Sequence, residues 1–209
     1  INLDYNLLNE IKLSGLTSLK TLSCVENYNL TTIDLKGLST LEELIVRNCS
    51  LQFFSNFSDC IKLKKLDGHG NSLENLNLQD FPELEILNCG NNNISHLNLS
   101  NLLKLTNVDA GSKNLTSIEI NGSSNIVQLL LDYSNIATLD LSKLTKLEIA
   151  FCNSCELLTT INSKNGKVEW LALNKCKSLK YVCADENQYK ALEDEIKSNQ
   201  LVGVHINSY

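Results

Sequence analysis

The chain has 209 residues, a formal net charge of −6 and a pI of about 5.1. The acidic balance argues against non-specific nucleic-acid binding, which needs a basic face, and no apolar run reaches the roughly 18 residues of a membrane span. Leu occurs 40 times and Asn 28 times, and this bias predicts a repeating unit. The absence of Met predicts that the chain is a processed or excised piece of a longer product.

Leucine-rich segments recur along the chain with a period of 21 or 22 residues. The clearest unit reads Leu84-x-x-Leu87-x-Cys89-x-x-Asn92-x-Ile94-x-x-Leu97-x-Leu99. Further apolar columns lie three residues before the anchor, from Leu19 to Val168, and two residues after it. Nine such units are anchored at Ile1, Leu22, Leu44, Leu66, Leu87, Val108, Leu129, Ala150 and Leu171. One unit cannot bury its own Leu positions, so the units must stack into a continuous core.

The alternation around each anchor predicts a short strand in every turn. Anchor and anchor+2 then face inward, while anchor−1, +1 and +3 face solvent. Neighbouring turns form a parallel ladder about 4.8 Å apart, which predicts a sheet of eight or nine strands. Five residues after the anchor stand Asn, Cys, Ser or Lys, as in Asn27, Cys49, Asn71 and Lys113. An Asn amide both donates and accepts, so a stacked column can satisfy buried backbone groups.

These residues resemble the leucine-rich repeat, whose unit reads L-x-x-L-x-L-x-x-N/C-x-L. The second half of the unit, as in Leu30-Thr31-Thr32-Ile33-Asp34-Leu35, resembles the short bacterial class called IRREKO. The resemblance covers about residues 1–182. It implies a leucine-rich-repeat right-handed solenoid of about nine turns, nominally of the α/β repeat class but mostly β.

The convex side and the two ends carry separate predictions. Alternating triplets such as 33–35, 76–78 and 97–99 predict extended or short-strand structure, not helices, on the convex side. We expect one domain with an abbreviated first turn at residues 1–16, repeats at 17–182 and a cap at 183–209. Residues 186–197 carry apolar side chains at helical spacing behind Asp185 as N-cap, and 202–206 predicts a strand. This closing segment is similar to that of secreted or surface-displayed Bacteroidetes leucine-rich-repeat proteins, which implies an extracellular or cell-surface location.

The eight cysteines fall on inward columns and predict structural thiols instead of a disulfide framework. Cys24, Cys89 and Cys152 share one column in distant turns, and Cys155 and Cys176 replace Asn. The Cys152-x-x-Cys155 spacing also fits a redox or half-zinc motif, but both positions are predicted to be buried. We expect six or more of the eight to be reduced. Whether Cys155 and Cys176 are bonded stays open.

Catalytic, cofactor and metal sites are not predicted. From sequence logic no Ser or Cys pairs with one of the three histidines and a carboxylate. No acidic cluster has calcium-loop spacing. His69 falls on an outward concave position and is interpreted as a solvated or contact residue. The chain is therefore not expected to be an enzyme, and it is not expected to hold a cofactor or a metal.

The outward columns of the last three turns are unusually apolar. Two interpretations stay open: a binding patch, or side chains covered by the C-terminal cap. As a patch, it comprises Leu130, Ile149, Phe151 and Trp170, with Gln128, Asp132 and Tyr133 as a polar rim. A second area, containing Glu43, Arg47, Lys65 and His69, carries mixed charge and is interpreted as a solvated surface.

The repeat resemblance implies a non-enzymatic protein-binding module that uses its concave sheet face. The expected partner is a protein at a bacterial surface, in adhesion or host interaction, and not nucleic acid. Carbohydrate or glycosaminoglycan binding on the same face is an alternative, because Trp170 and Phe151 suit stacking on sugars. A third alternative is a structural spacer within a larger surface protein.

Overall fold

The computed structural model describes residues 1–167 and 170–208, so Val168 of the predicted apolar column lies outside the described residues. The concave side is one parallel sheet of eight three-residue strands, each centred on a predicted anchor. With all strands numbered in chain order, these are β1 (Thr21–Ser23), β3 (Glu43–Ile45), β5 (Lys65–Asp67), β6 (Ile86–Asn88), β8 (Asn107–Asp109), β10 (Gln128–Leu130), β12 (Ile149–Phe151) and β14 (Trp170–Ala172). The first anchor adds only an isolated bridge from Asn2 to Ser23.

The convex side carries short strands, as predicted. They form three separate parallel sheets with two, two and four strands. These strands are β2 (Thr32–Asp34) with β4 (Phe53–Ser55), β7 (His96–Asn98) with β9 (Ser117–Glu119), and β11 (Thr138–Asp140), β13 (Thr160–Asn162), β15 (Tyr181–Cys183) and β16 (His205–Asn207). The predicted triplet at 76–78 forms no strand, which leaves a gap in the convex ladder.

The gap lies beside an aromatic cluster in the third and fourth turns. Phe57 packs between Phe54 and Phe81, with ring centroids 4.9 and 4.4 Å away. A 3-10 turn, Phe57–Asp59, follows β4 and places Cys60 in the core. The bulky rings stand where other turns carry Leu, and they lie next to the segment 76–78 that forms no strand.

The core is a continuous stack of Leu, Ile, Val, Ala and Cys side chains. The anchors from Leu22 to Leu171 are all buried, because each strand has only one inward face and its neighbours lie in register above and below. Ile1, the first anchor, is half exposed. The N-terminal turn therefore covers the core only in part.

A buried ladder of side chains joins successive turns behind the strands. Asn71 Nδ2 donates to the carbonyl oxygen of Val46 in the preceding turn at 2.7 Å, and Asn92 Nδ2 donates to that of Gly68 at 2.9 Å. Thiols occupy other rungs in the same geometry: Cys49 Sγ lies 3.1 Å from the Cys24 oxygen, and Cys176 Sγ 2.9 Å from the Cys152 oxygen. The predicted column of buried donors is present, and a thiol serves where Asn is missing.

The sixth turn departs from this ladder. Lys113 was predicted in the column but is exposed, because a buried ammonium without a counter-ion would be costly. Ser112 is buried there instead, and its hydroxyl donates to the carbonyl oxygen of Asn92, the ladder residue of the preceding turn, at 2.8 Å. The residue before the ladder position has a left-handed backbone in most turns, as at Glu26, Asn91 and Tyr133, and in those turns it lies three residues after the end of the concave strand.

The C-terminal segment packs a helix against the last turn. Helix α1 (Tyr189–Ser198) follows a 3-10 turn at Glu186–Gln188, which Asp185 caps. Leu192 is buried, and the Glu195 carboxylate accepts the Leu173 backbone N–H at 2.8 Å. Strand β16 pairs with β15, slightly later in the chain than predicted. No helix within the described ranges is long and apolar enough to cross a membrane. The predicted solenoid of about nine turns is confirmed.

Candidate binding face

The concave register brings the predicted patch residues together on three adjacent strands. Ile149 on β12 is aligned with Gln128 on β10 and with Trp170 on β14. Phe151 is aligned with Leu130 in the same way. Residues 21 apart in sequence thus become neighbours about 4.8 Å apart, and the four apolar side chains form one contiguous surface.

Trp170 is the most exposed member of this surface. Its exposed fraction is 64%, so helix α1 covers the end of the core without covering the indole. The Phe151 ring meets Trp170 edge-on, with centroids 5.2 Å apart and planes at 74°. This edge-to-face contact restricts both rings.

Polar groups beside the patch are held by hydrogen bonds across strands. Gln128 Oε1 accepts Asn107 Nδ2 at 2.9 Å, and Asp132 Oδ1 accepts the Asn153 backbone N–H at 2.7 Å. Burial raises the pKa of Asp132, while its bonds with Asn153 lower it in part. Tyr133 is exposed but lines a groove with Asn91, Asn93 and Asn114 of earlier turns. Tyr133 thus belongs to the same turn as Gln128 and Asp132, but it lines a groove with the loops of the two preceding turns.

Ile86 extends the apolar surface beyond the predicted residues. Its exposed fraction is 39%, and it lines a shallow concave depression of about 300 Å³ together with Asn107, Gln128 and Leu130. The signal was present in the sequence, since Ile86 occupies the same outward column as Ile149 and Trp170. Asn107 and Gln128 stand between Ile86 and Ile149 in that column, so the sequence alone did not join Ile86 to the patch.

The mixed-charge area of the third and fourth turns contains a partly buried ion pair. Arg47 Nε lies 3.7 Å from Asp67 Oδ1. Burial raises the pKa of Asp67, and the Arg47 charge opposes that rise. His69 Nε2 lies 3.1 Å from Asn91 Nδ2. This area is more ordered than a solvated surface of independent side chains.

A Ser–His–Glu arrangement on the convex side was missed by sequence reasoning. His96 on β7 is aligned with Ser117 on β9, so His96 Nδ1 lies 2.7 Å from Ser117 Oγ, and Nε2 lies 3.5 Å from Glu119 Oε1. Both the His96 and the Glu119 side chain are about half exposed. Water therefore solvates the groups that a catalytic site would desolvate, and nothing in the geometry assigns this triplet a reaction.

Seven of the eight cysteines belong to the core and not to the concave surface. Cys152, Cys155 and Cys176 are buried, and the seven buried cysteines are thiols. Burial raises the pKa of Cys24, Cys60 and Cys89 to about 12. Among the described residues, His, Cys, Asp and Glu form no group of three or more that could hold a metal ion.

Solved bacterial leucine-rich-repeat proteins share this architecture. The Leptospira interrogans LRR protein LIC12759 is 14% identical with a TM-score of 0.56, covering 99% of this chain and 59% of that one. The internalin InlF of Listeria monocytogenes is 16% identical with a TM-score of 0.55, covering 94% and 63%. The functional domain of InlJ, from the same species, is 18% identical over 91% of this chain and 55% of that one, with a TM-score of 0.46.

The chain thus spans about three fifths of the length of the solved proteins it resembles. No family model and no curated protein sequence matches it. The repeat period, the parallel strand order and the similarity to the two structures with the higher TM-scores agree. The chain therefore has the leucine-rich-repeat fold.

Proposed function

We propose that this chain is a non-enzymatic protein-binding module that uses the apolar end of its concave face. The observation that carries the proposal is the exposed Trp170, held edge-on by Phe151 on an otherwise open sheet. Large apolar side chains on an outward face contribute nothing to the core, and contiguous exposed apolar surface marks interaction sites. Ile149 and Leu130 complete the centre of the proposed site.

The surroundings of Trp170 have the composition of a protein interface. Aromatic residues dominate the binding energy of protein interfaces, and they lie at the centre of a polar rim. Gln128 and Asp132 supply such a rim, and both are already held by cross-strand bonds. A rigid solenoid loses little conformational entropy when it binds, because its surface is ordered beforehand.

The proposed setting is the surface of, or the medium around, a bacterial cell, in adhesion or host interaction. The repeat resemblance and the shared fold with an internalin support this proposal. We also propose that the repeats are of the short bacterial class and that the partner is an extracellular host protein. A signal or sorting segment in the full-length gene product would support this location. A reporter fusion of the full-length product that stays in the cytoplasm would contradict it.

The test compares Trp170→Ala with a matched control. Affinity capture from host-cell surface extracts identifies a partner, and titration with that purified partner gives its affinity. Truncating a central aromatic anchor costs about 2 kcal/mol or more, roughly a 30-fold loss of affinity. Tyr28→Ala removes another exposed aromatic ring outside the patch and is expected to leave the affinity unchanged.

The melting temperature separates binding from packing. Trp170 touches no inward column, so Trp170→Ala is expected to leave the melting temperature within a degree or two. A sharp drop in melting temperature with intact binding would assign the indole to packing. The partner site would then have to lie near Arg47, Lys65 and His69.

A carbohydrate ligand on the same patch is a second candidate, favoured by the exposed Trp170–Phe151 pair, because sugar rings stack on aromatic faces. The net charge of −6 disfavours sulfated glycosaminoglycans. A glycan array probed with the wild type and Trp170→Ala distinguishes this candidate from a protein partner. Failure of both the array and the capture would favour a structural spacer.

A further inference from the structure

Two Asn-Gly pairs follow strands of the convex side. Asn121-Gly122 comes two residues after β9, and Asn165-Gly166 comes three residues after β13. Both glycines have a left-handed backbone, with φ of 81° and 78°. An asparagine before glycine is the most prone to lose its side-chain amide, because a residue without Cβ lets its backbone nitrogen reach the asparagine side chain. The dipeptide and the glycine conformation are alike in both places, so the surroundings decide which pair reacts.

The pair Asn165-Gly166 is held by hydrogen bonds on both sides. The Gly166 N–H donates to Asp185 Oδ2 at 2.6 Å, and Asn165 Oδ1 accepts the Lys167 N–H at 2.9 Å. Asn165 is also only 8% exposed. The nitrogen that would attack and the side chain that would be attacked are therefore both restrained, and water has little access to them.

The pair Asn121-Gly122 has none of these restraints. Both residues are exposed, and the turn is closed only behind them, where the Ser123 N–H donates to the Ile120 oxygen at 3.2 Å. Within residues 1–167 and 170–208, neither the Gly122 N–H nor the Asn121 side chain makes a hydrogen bond. The attacking nitrogen and the amide are both free to meet.

Another glycine of the convex side shows what the Asn121 turn lacks. The Gly37 N–H donates to Asp59 Oδ2, one repeat later in the chain, at 2.7 Å. One repeat after Gly122 the chain carries Lys143, whose side chain is exposed. An ammonium group only donates hydrogen bonds, so Lys143 cannot bind the Gly122 N–H as Asp59 binds that of Gly37.

We propose that Asn121 is a site of spontaneous deamidation in the folded chain and that Asn165 is protected from it. Hydroxide removes the Gly122 amide proton, and the nitrogen forms a bond to Asn121 Cγ. The bond from Cγ to Nδ2 then breaks, and Nδ2 leaves as ammonia after taking a proton from water. One water molecule opens the resulting succinimide ring at either carbonyl, which gives aspartate or isoaspartate without any oxidant or reductant.

The isoaspartyl product changes a corner that joins the fifth and sixth turns. The Asn121 carbonyl oxygen accepts the Asn101 N–H at 2.8 Å, and the buried Ser123 hydroxyl donates to the Leu99 oxygen at 2.6 Å. Isoaspartate adds one carbon to the main chain between these two contacts, so both cannot keep their geometry. We expect the modified chain to be less stable. The Trp170 patch is not involved, so the proposal is independent of the proposed function.

The test incubates the full chain at physiological temperature and mildly alkaline pH and maps both asparagines by peptide mass spectrometry after digestion at acidic pH. Asn121 is expected to react tenfold faster than Asn165 or more, because the hydrogen bond to Asp185 must break before Gly166 can attack. The same chain unfolded in guanidinium is the control, and there both asparagines should react at similar rates. Equal rates in the folded chain, or a faster reaction at Asn165, would overturn the proposal.

Two lysine variants test the missing acceptor. Lys143→Asp places a carboxylate where Asp59 stands relative to Gly37, and it should slow the reaction of Asn121 severalfold. Lys146→Asp makes the same change of charge at another exposed position of that loop and should react as the wild type does. Equal rates in the two variants would contradict the role given to the acceptor.

Asn121→Gln tests the consequence for stability and does not depend on the lysine variants folding. Glutamine keeps the amide but would have to close a larger, less favourable ring, so incubation should leave its melting temperature unchanged. The incubated wild type should melt at a lower temperature than the fresh protein. An equal loss in both chains would overturn the assignment of the change to Asn121.

Discussion

The fifth turn and the last two turns use different side chains to hydrogen-bond equivalent buried carbonyl groups. Asn92 Nδ2 donates to the oxygens of Gly68 and Cys89, both at 2.9 Å, and its Oδ1 accepts the Leu73 N–H at 2.9 Å. Cys176 Sγ reaches the Cys152 oxygen at 2.9 Å, but a thiol is a single weak donor. Each position of the buried ladder therefore requires a donor toward the preceding turn. The additional hydrogen bonds of Asn stabilise the neighbouring loop.

The concave surfaces of the middle turns and of the last turns also differ, in the polarity of their outward side chains. The fourth to sixth turns present Asp67, Asn88 and Asp109, whereas the last three turns present Leu130, Phe151 and Trp170. The backbone is the same in both regions, because inward columns alone set the solenoid. Outward positions are consequently free to carry either polar or apolar recognition surfaces.

The largest expected effect comes from removing the C-terminal segment, which we propose as the cap. Deleting residues 184–209 takes away α1 and β16 and exposes Leu173, Leu179 and Val182, which are buried in the complete chain. We expect association or fraying from that end, with a clear drop in melting temperature. Size-exclusion chromatography and thermal melting measure this.

The control for the deletion is Val202→Ser, which changes a residue that is 93% exposed in the same segment and should leave both readouts unchanged. A truncated chain that stays monomeric and melts at the wild-type temperature would show that residues 183–209 are not a cap.

The next effect contrasts the two kinds of rung. Asn92→Ala leaves the Cys89 oxygen and the Leu73 N–H without their Asn92 partner, whereas the Gly68 oxygen keeps its bond from Asn71 Nδ2. The change is expected to cost about 3 kcal/mol of unfolding free energy. Cys176→Ala removes one weak donor and a small buried volume and should cost about 1–2 kcal/mol. Urea unfolding measures both values, and Asn93→Ala, on the exposed side of the same loop, is the control. Equal costs for the two rungs would contradict the proposed role of the amide.

The smallest expected effect concerns Asp67. Burial raises the pKa of its carboxyl group in the folded chain, so ionisation costs stability as the pH rises above the ordinary Asp range. Asp67→Asn is therefore expected to raise the melting temperature slightly at pH 7, with the gain disappearing as the pH falls below that range. Asp80→Asn, in an exposed turn, should show no such difference. A loss of stability at pH 7 would mean that the Arg47 ion pair outweighs the cost of burial.

Sequence reasoning worked best where one column obeyed one physical requirement. The anchors, the extended convex segments and the Asn-to-Cys replacements each follow from burial or from a need for a donor at a fixed spacing. The prediction was wrong at Lys113. This residue lies five positions after its anchor, but its charged side chain is not buried in the core. Sequence reasoning also missed the Ser117–His96–Glu119 contact, since these residues belong to different turns.

The left-handed bend that precedes most positions of the buried ladder shows another limit. Residues as different as Glu26, Asn91 and Tyr133 adopt it, so no residue type marks the position. The bend is imposed by the register of the sheet, and the backbone bonds to the next turn stabilise it: Glu26 N–H, for example, donates to the Arg47 oxygen at 2.9 Å. The left-handed conformation is therefore determined by the packing of the repeated core, and residues of different types can adopt it.

The 21-residue spacing of apolar side chains was sufficient to establish the solenoid, its inward columns and its strand positions, because burial acts on each turn separately and repeats with the chain. The tertiary structure decided which outward side chains meet. Stacking turns about 4.8 Å apart brought Trp170 against Phe151 and aligned Asp67 with Asn88. Rotamers and cross-strand bonds then fixed how far each stays exposed, and neither can be derived from a single turn.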